Sequence, residues 1–379
     1  MQFLPYGRQS IDESDIEAVV AVLRSDFLTQ GPGVDRFENA LAKHAGARHA
    51  IAVNSGTAAL HAAYFAAGLG PGDEIITSPL TFVATANAAR YLGASVRLVD
   101  VEPDTGNLDP RLVATAITPQ TRLIVPVDYA GHPADYDAIN ALAGQHGLTV
   151  VADAAHSLGA SVGGRAVGTL AHLTEVSFHP VKPLTTGEGG AVLTDDPALA
   201  ARAARFRTHG ITKDPAQLRC NEGPWYYEMQ DLGLNYRLTD LQCALGFSQL
   251  GRLDAFIARR RAIAHRYSEA FSAIDTLQVP VVRPHVEPGW HLYVLRVREA
   301  SRRRAFFERL RDLGLGVQVH YIPVHYQPYY EQLGFRRGQY PVAEDWYARA
   351  VSIPIYPTMS DGDVESVIER VRQAVREIL

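Results

Sequence analysis

Cysteine is nearly absent from this chain, with two residues in 379, Cys220 and Cys243. Two such residues make no disulfide framework and lack the C-x-x-C spacing of metal or redox motifs, so a reducing compartment, the cytoplasm, is expected and no metal site is. No uninterrupted apolar stretch approaches the ~18 residues of a membrane span. The opening MQFLPYGRQSIDESD also lacks the basic flank and apolar block of a signal peptide. Positive charge is not in excess either: 36 Lys and Arg stand against 41 Asp and Glu, a net charge of -5. That balance argues against nucleic acid and against anionic lipid as partners. Fixed-period repeats and low-complexity tracts are missing.

What is present fits a soluble globular chain. Hydrophobic residues make up 47% and charged residues 20%, and the length suffices for a large core and a second domain. Short β-branched runs alternate with helical ones: HAIAVNS then TAALHAAYFAAGLG, DEIITSP then FVATANAARYLG, RLIVPVDYA then ADYDAINALAGQHG, and TVVADAAHS. Such alternation predicts an α/β fold with a mostly parallel sheet and helices on both faces. Gly68, Gly93 and Gly147 stand where left-handed helix caps are needed. The texture changes near Leu250, where GRLDAFIARRRAIAHRYSEAF leads into a Pro-punctuated segment and strands such as HLYVLRVRE. This predicts an N-terminal segment over 1–12, a large domain over 13–249 and a smaller α+β domain over 250–379. The RRR runs at Arg259–Arg261 and Arg302–Arg304 read as solvated helix faces.

Three constellations carry chemistry. Asn54, Ser55, Gly56 and Thr57 lie between a strand and an Ala-rich helix, where free amides and the helix dipole favour a phosphate; an ordinary N-cap is the plain alternative. No GxGxxG follows a strand, and GGRAVGT lacks the lysine of a P-loop. Asp153 ends an apolar strand where open sheets gather ligands, and a carboxylate there calls for a cationic partner such as a protonated pyridine; it could equally cap a loop. His156, three residues on, could bond a ring oxygen or bridge backbone groups. Lys182, 29 positions after Asp153 in SFHPVKPLTTGEGG, follows a strand that ends near Ser177 and precedes glycines that allow close approach to something planar. An exposed loop lysine is the alternative; together with the other two constellations, the amine suits imine chemistry with pyridoxal phosphate.

These residues carry a resemblance. YGRQSIDESDIEAVVAVLRSDFLTQGPGVDRFE, NSGTAALHAA, SPLTFVATANAA, DAAHSLGA, SFHPVKPLTTGEGG and GLNYRLTDLQCALG occur in this order, and the chain resembles the DegT/DnrJ/StrS family of sugar aminotransferases from end to end. The resemblance implies a fold type I pyridoxal phosphate transferase. It implies Lys182 as the amine that bonds the cofactor, Asp153 under the pyridine nitrogen, His156 near the ring oxygen and Phe82 stacked on the ring. Phosphate contacts would come from Gly56, Thr57 and Ser177, and from Asn235 of a second subunit in a homodimer with shared sites. Taken alone, Phe82 reads as a core aromatic and Asn235 as a turn residue. Relatives with histidine in place of this lysine are dehydrases, so the lysine implies transamination.

The stretch SFHPVKPLTTGEGG, with FLTQGP near the start, is most similar to the branch that makes the 4-amino sugar precursor of pseudaminic acid. There L-glutamate would aminate the cofactor. The acceptor would be a UDP-linked 4-keto-6-deoxy-N-acetylhexosamine, yielding UDP-4-amino-4,6-dideoxy-N-acetyl-β-L-altrosamine. A UDP-4-keto-pentose is the nearest alternative; a pyridoxal phosphate lyase and a non-catalytic cofactor-binding regulator are further ones. A lyase or desulfurase would want a reactive cysteine, whereas Cys243 in LQCALGFSQL reads as core. Candidates for the sugar nucleotide are Tyr6, Thr29, Gln30, Arg237, His320, Tyr321 and His325, the last three in HYIPVHYQPYY, which otherwise reads as a solvated loop. The long segment from Thr208 to Tyr236 is expected to reach a partner subunit and bury Trp225, Tyr226 and Tyr227 there; an exposed hairpin tip is the alternative.

Overall fold

The computed structural model describes residues 3–379, so residues 1 and 2 of the expected N-terminal segment lie outside the described residues. The chain begins with α1 (Glu13–Leu23) and α2 (Pro32–Ala45). Asp12 and Asp15 cap α1 reciprocally, each carboxylate accepting the other's amide. Helix α2 opens on Gly31 with no side-chain cap of its own; the Asp240 carboxylate, far along the chain, accepts the amides of Gly31 and Gly33 at 2.8 and 2.9 Å.

Strands and helices then alternate as the sequence predicts: β1 (His49–Val53), α3 (Gly56–Ala66), β2 (Glu74–Thr77), α4 (Ala84–Tyr91), β3 (Ser95–Leu98), α5 (Pro110–Ala116), β4 (Thr121–Val125), α6 (Tyr136–His146) and β5 (Thr149–Asp153). A short hairpin, β6 (Ser161–Val162) and β7 (Arg165–Ala166), precedes β8 (Leu173–Ser177) and β9 (Gly190–Thr194). Next come α7 (Pro197–Phe206), the two-residue strands β10 (Ile211–Thr212) and β11 (Glu228–Met229), and α8 (Asp240–Leu250). Gly147 closes α6 at φ 65°, in the left-handed region where glycine is favoured.

Seven strands form the central sheet in the order β1-β9-β8-β5-β4-β2-β3, parallel from β8 to β3, with β9 antiparallel to both neighbours. Alternate side chains feed separate cores on the two faces. Ile76, Ile124, Val150 and Ala152 enter one core, whereas Ile75, Leu123, Val125 and Val151 enter the other, against α3 and α7. Strands covered on both faces are mostly apolar on both, which is why their sequences read as near-continuous runs, with Glu175 in β8 an exception.

The remainder comprises α9 (Leu253–Phe271), β12 (Leu277–Gln278), β13 (Val286–Glu287), β14 (Tyr293–Val297), α10 (Arg303–Asp312), α11 (Pro328–Gln332), α12 (Pro341–Arg349), β15 (Ala350–Ile353) and α13 (Asp361–Ile378). A three-stranded sheet, β12-β14-β15, packs with α9, α10 and α13 around a separate core. Helix α9 joins the two halves, since Ile257 belongs to the first core and Ile263, Tyr267 and Phe271 to this one. Leu4, from the start of the chain, also packs into it.

The RRR run on α9 is not a solvated face. Arg260 is 1% exposed, and its guanidinium donates to the carbonyls of Trp290, His291 and Ile355 at 3.2, 3.3 and 2.9 Å. Arg259 donates to the Met359 carbonyl, and Arg261 to those of Pro288 and Gly159. Loop carbonyls that no sheet or helix satisfies need donors, and long planar guanidinium groups reach them. At the other run, Arg302 and Arg304 are exposed, as expected.

Candidate active site

The carboxyl ends of β5 and β8 and the N-terminus of α3 meet at one cavity of about 680 Å³, within the usual range for a small-molecule site. Helix α3 starts here because Ser55 caps it, its hydroxyl accepting the Ala58 amide. Gly56 and Thr57 head the helix, so no preceding carbonyl can pair their amides. The packing behind them is close: a Cβ on Gly56 would lie 2.6 Å from Glu175 Oε1 and 3.1 Å from Ser177 Cβ, so a larger residue would have to displace the Glu175 carboxyl.

Asp153, at the end of β5, is 6% exposed and points into the cavity. Thr85 Oγ1 donates to its Oδ2 at 2.6 Å, and the Ala155 amide to its Oδ1 at 3.3 Å. Lys182 stands in the turn between β8 and β9, its amide donating to the His179 carbonyl. Burial lowers its amine from 10.5 to about 8, against the opposing pull of Glu175 and Asp153. At neutrality such an amine is neutral far more often than a solvated lysine.

Three histidines surround this amine. His156 pairs with the Tyr321 hydroxyl through Nε2 at 2.8 Å and lies 4.5 Å, centroid to centroid, from His291. His320 bonds Ser352 through Nδ1 at 2.8 Å, and its carbonyl accepts the Tyr129 hydroxyl at 2.5 Å. Burial holds all three neutral, with Lys182 adding to the effect; His320 falls to about 3. Nδ1 of His156 is buried without a partner among the described residues. Phe82 is 57% exposed at the cavity wall, its ring 6.2 Å from that of Tyr321.

Of the residues expected from sequence, Tyr6, Gly56, Thr57, Phe82, Asp153, His156, Ser177, Lys182, His320 and Tyr321 line this one cavity. Thr29, Gln30, Asn235, Arg237 and His325 do not. Asn235 is exposed beside the mouth, its carbonyl accepting from Asn54 Nδ2 at 3.4 Å, and the Arg237 backbone bridges to Val53. Thr29 and Gln30 are exposed on the approach to α2. His325 is fully buried, its ring bonded to Glu344 at 2.9 Å.

Sequence reasoning missed Thr85, Glu175 and His291, all at the cavity. An acid inside the apolar run LTEVSF was a usable signal for Glu175. Nothing comparable marks His291, whose place depends on how β14 and the loop before it dock.

A model of the DegT/DnrJ/EryC1/StrS aminotransferase family matches residues 9–372. The chain belongs to that family. It is 44% identical to the spore coat polysaccharide biosynthesis protein SpsC of Bacillus subtilis, over 99% of this chain and 97% of that one. The fold superimposes on PseC of Helicobacter pylori, an aminotransferase involved in the biosynthesis of pseudoaminic acid, with a TM-score of 0.93 and 31% identity over the whole of both chains. It superimposes equally well, at 0.93, on Spr1654 of Streptococcus pneumoniae in its PLP form, at 29% identity and full coverage of both. The DegT/DnrJ/EryC1/StrS member described here is therefore an α/β, fold type I, pyridoxal phosphate-dependent sugar aminotransferase.

The residues present fit the cofactor. Unpaired amides at the head of α3 suit a phosphate, the Asp153 carboxylate suits a cationic ring nitrogen, and the orphaned His156 Nδ1 suits a ring substituent that can hydrogen-bond. Among the described residues no group of His, Cys, Asp or Glu could hold a metal ion, and no helix is long and apolar enough to cross a membrane.

Proposed function

We propose that this enzyme moves an amino group from L-glutamate to the C4 keto group of a UDP-linked 4-keto-6-deoxy-N-acetylhexosamine, in the cytoplasm, on the way to pseudaminic acid. The observation that carries the reading is the end-to-end likeness to PseC, together with a buried Lys182 amine in the same cavity as Asp153. Pyridoxal phosphate, when bound, supplies an aldehyde to carry the amino group and a ring that stores electrons.

The chain's own residues do the rest. Gly56, Thr57 and Ser177 would hold the phosphate. Asp153 would keep the ring nitrogen protonated, oriented for that task by the Thr85 hydroxyl. His156, neutral and fixed by Tyr321, would bond the ring oxygen, with Phe82 over the ring face. Lys182 would hold the cofactor, and its free Nζ would take a proton from the reacting carbon of glutamate in one half of the cycle and deliver one to the sugar's C4 in the other. The lowered basicity of that amine suits both directions of transfer.

Tyr6, His320 and Tyr321 would meet the sugar nucleotide, and their position at the cavity wall supports this. Thr29, Gln30, Arg237 and Asn235 would act from a second copy in a homodimer; the exposed Trp225, Tyr227, Met229 and Leu232 on the nearby segment support such an interface. His325, held by Glu344, serves the loop that carries His320 and Tyr321. Residues 13–249 would form the cofactor domain and 250–379 the smaller one.

A second reading is amination of another nucleotide-linked 4-keto sugar such as a pentose; the higher identity to SpsC, a protein of spore coat polysaccharide biosynthesis, supports only that the sugar could differ from the one PseC handles. Incubation of the holoenzyme and L-glutamate with a panel of UDP- and dTDP-4-keto sugars, with products read by mass, separates the two. Turnover of the 4-keto-6-deoxy-N-acetylhexosamine at least about tenfold above all others is expected, and preference for a pentose or dTDP sugar would overturn the first reading.

A further inference from the structure

Among the described residues, Glu175 is the one buried acid at the cavity for which the transamination scheme has no use; Glu188, also at the wall, is exposed. Parallel pairing of β5 with β8 sets Glu175 directly beside Asp153. Its side chain is 1% exposed, and neither carboxyl oxygen meets a donor among the described residues when both acids are written as ionised. The groups facing it are Asp153 from β5, Lys182 from the turn after β8, Tyr64 from α3 and the Ala155 amide, which donates to Asp153 at 3.3 Å and favours the ionised form of Glu175 less strongly than burial and Asp153 oppose it. Its Oε1 also lies against Gly56, at the head of the helix where a phosphate would sit.

Two adjacent buried carboxylates cannot both stay ionised once the nearby amine gives up its charge. A second negative charge at the head of α3 would also repel a phosphate dianion. One proton between the two acids removes both conflicts and gives the orphaned oxygens their hydrogen bond. We propose that Glu175 is held as an un-ionised carboxylic acid that donates to Asp153, making it a positioning residue for the carboxylate that receives the cofactor's ring nitrogen. The proton stays between the two acids and no bond to carbon changes. Burial and the neighbouring Asp153 both push the Glu175 carboxyl well above its usual range, in agreement.

The proposal rests on the family's cofactor, not on the sugar, so its test reads cofactor binding and leaves the substrate assignment untouched. Glu175→Leu keeps the bulk, excludes water and removes the donor; Glu175→Gln keeps a donor in the same place without the acid. Pyridoxal phosphate affinity of the full chain, by equilibrium dialysis, is expected to fall about tenfold in the Leu variant and to recover to within about threefold in the Gln variant. Infrared difference spectra of wild type minus Glu175→Gln at neutral pH should show the carbonyl band of an un-ionised carboxylic acid. Asp128, which burial pushes up to about 7, contributes to both proteins and cancels. An absent difference band, or a Gln variant binding about tenfold more tightly than wild type, would mean that Glu175 is ionised and would overturn the proposal. Should the Leu variant not fold, the infrared comparison decides by itself.

Discussion

The lowered basicity of Lys182 sets the speed at which the apoprotein captures its cofactor. Only the neutral amine attacks an aldehyde. At pH 7 an amine of ordinary pKa, 10.5, is neutral in roughly one molecule in three thousand, whereas one lowered to about 8 is neutral in about one in ten. Burial thus multiplies the reactive fraction by about 300. Stopped-flow mixing of apoprotein with pyridoxal phosphate, followed by visible absorbance, measures it, with Nα-acetyl-lysine, whose only amine is the side chain's, as the reference that removes the cofactor's own titration. The direction is fixed: the reactive form is lost as pH falls through the folded-state pKa. Relative to the reference amine, the capture rate should stay about 300-fold higher up to about pH 8 and then fall about tenfold per pH unit, as the reference goes on losing its proton while Lys182 has none left to lose. A ratio that stays level from about pH 7 to about pH 10 would show a solvated amine and refute the reasoning.

Gly56→Ala puts a methyl group where Glu175 Oε1 and Ser177 already stand, so pyridoxal phosphate affinity should drop by about tenfold or more with the circular dichroism unchanged. Arg260→Met leaves three buried carbonyls without their shared donor; urea unfolding should show a loss of about 3 kcal/mol, and a change below about 0.5 kcal/mol would contradict the account of that residue. Co-expressing Lys182→Ala with Asn235→Ala tests the shared site. Each variant alone should be impaired, while random pairing restores roughly a quarter of wild-type activity, since half the dimers are mixed and one site in each is intact; no recovery would place Asn235 in its own chain's site.

The pattern of the seven-stranded sheet was legible because its strands are buried on both faces and its crossover helices close on glycines such as Gly147. Lys182 and Asp153 stood out because an amine and an acid drawn into an apolar setting need a partner, and Gly56 because it heads a helix whose free amides suit an anion. Adjacency across the sheet was not legible. Glu175 meets Asp153 only because β8 lies beside β5, and strand order is not written in local pattern. Arg260 misled because the charge run around it has helical spacing, while its partners are loop carbonyls brought in by tertiary packing. His325 shares the HYIPVHY run with His320 and Tyr321, yet the 3-10 turn over Val324–Tyr326 carries its ring into a pair with Glu344.

The first residues of the chain have an unusual dependence. Leu4 exchanges backbone hydrogen bonds with Gly314 and Gly316, and the Tyr6 carbonyl accepts from Ile355, which carries the Tyr6 ring to the cavity wall. On the ribosome, Tyr6 emerges long before Ile355, which completes its seat. The pocket's last wall therefore closes only once Ile355 has been made, and a product cut short before the strand Ala350–Ile353 would present an open, unsealed site however well its central sheet had formed.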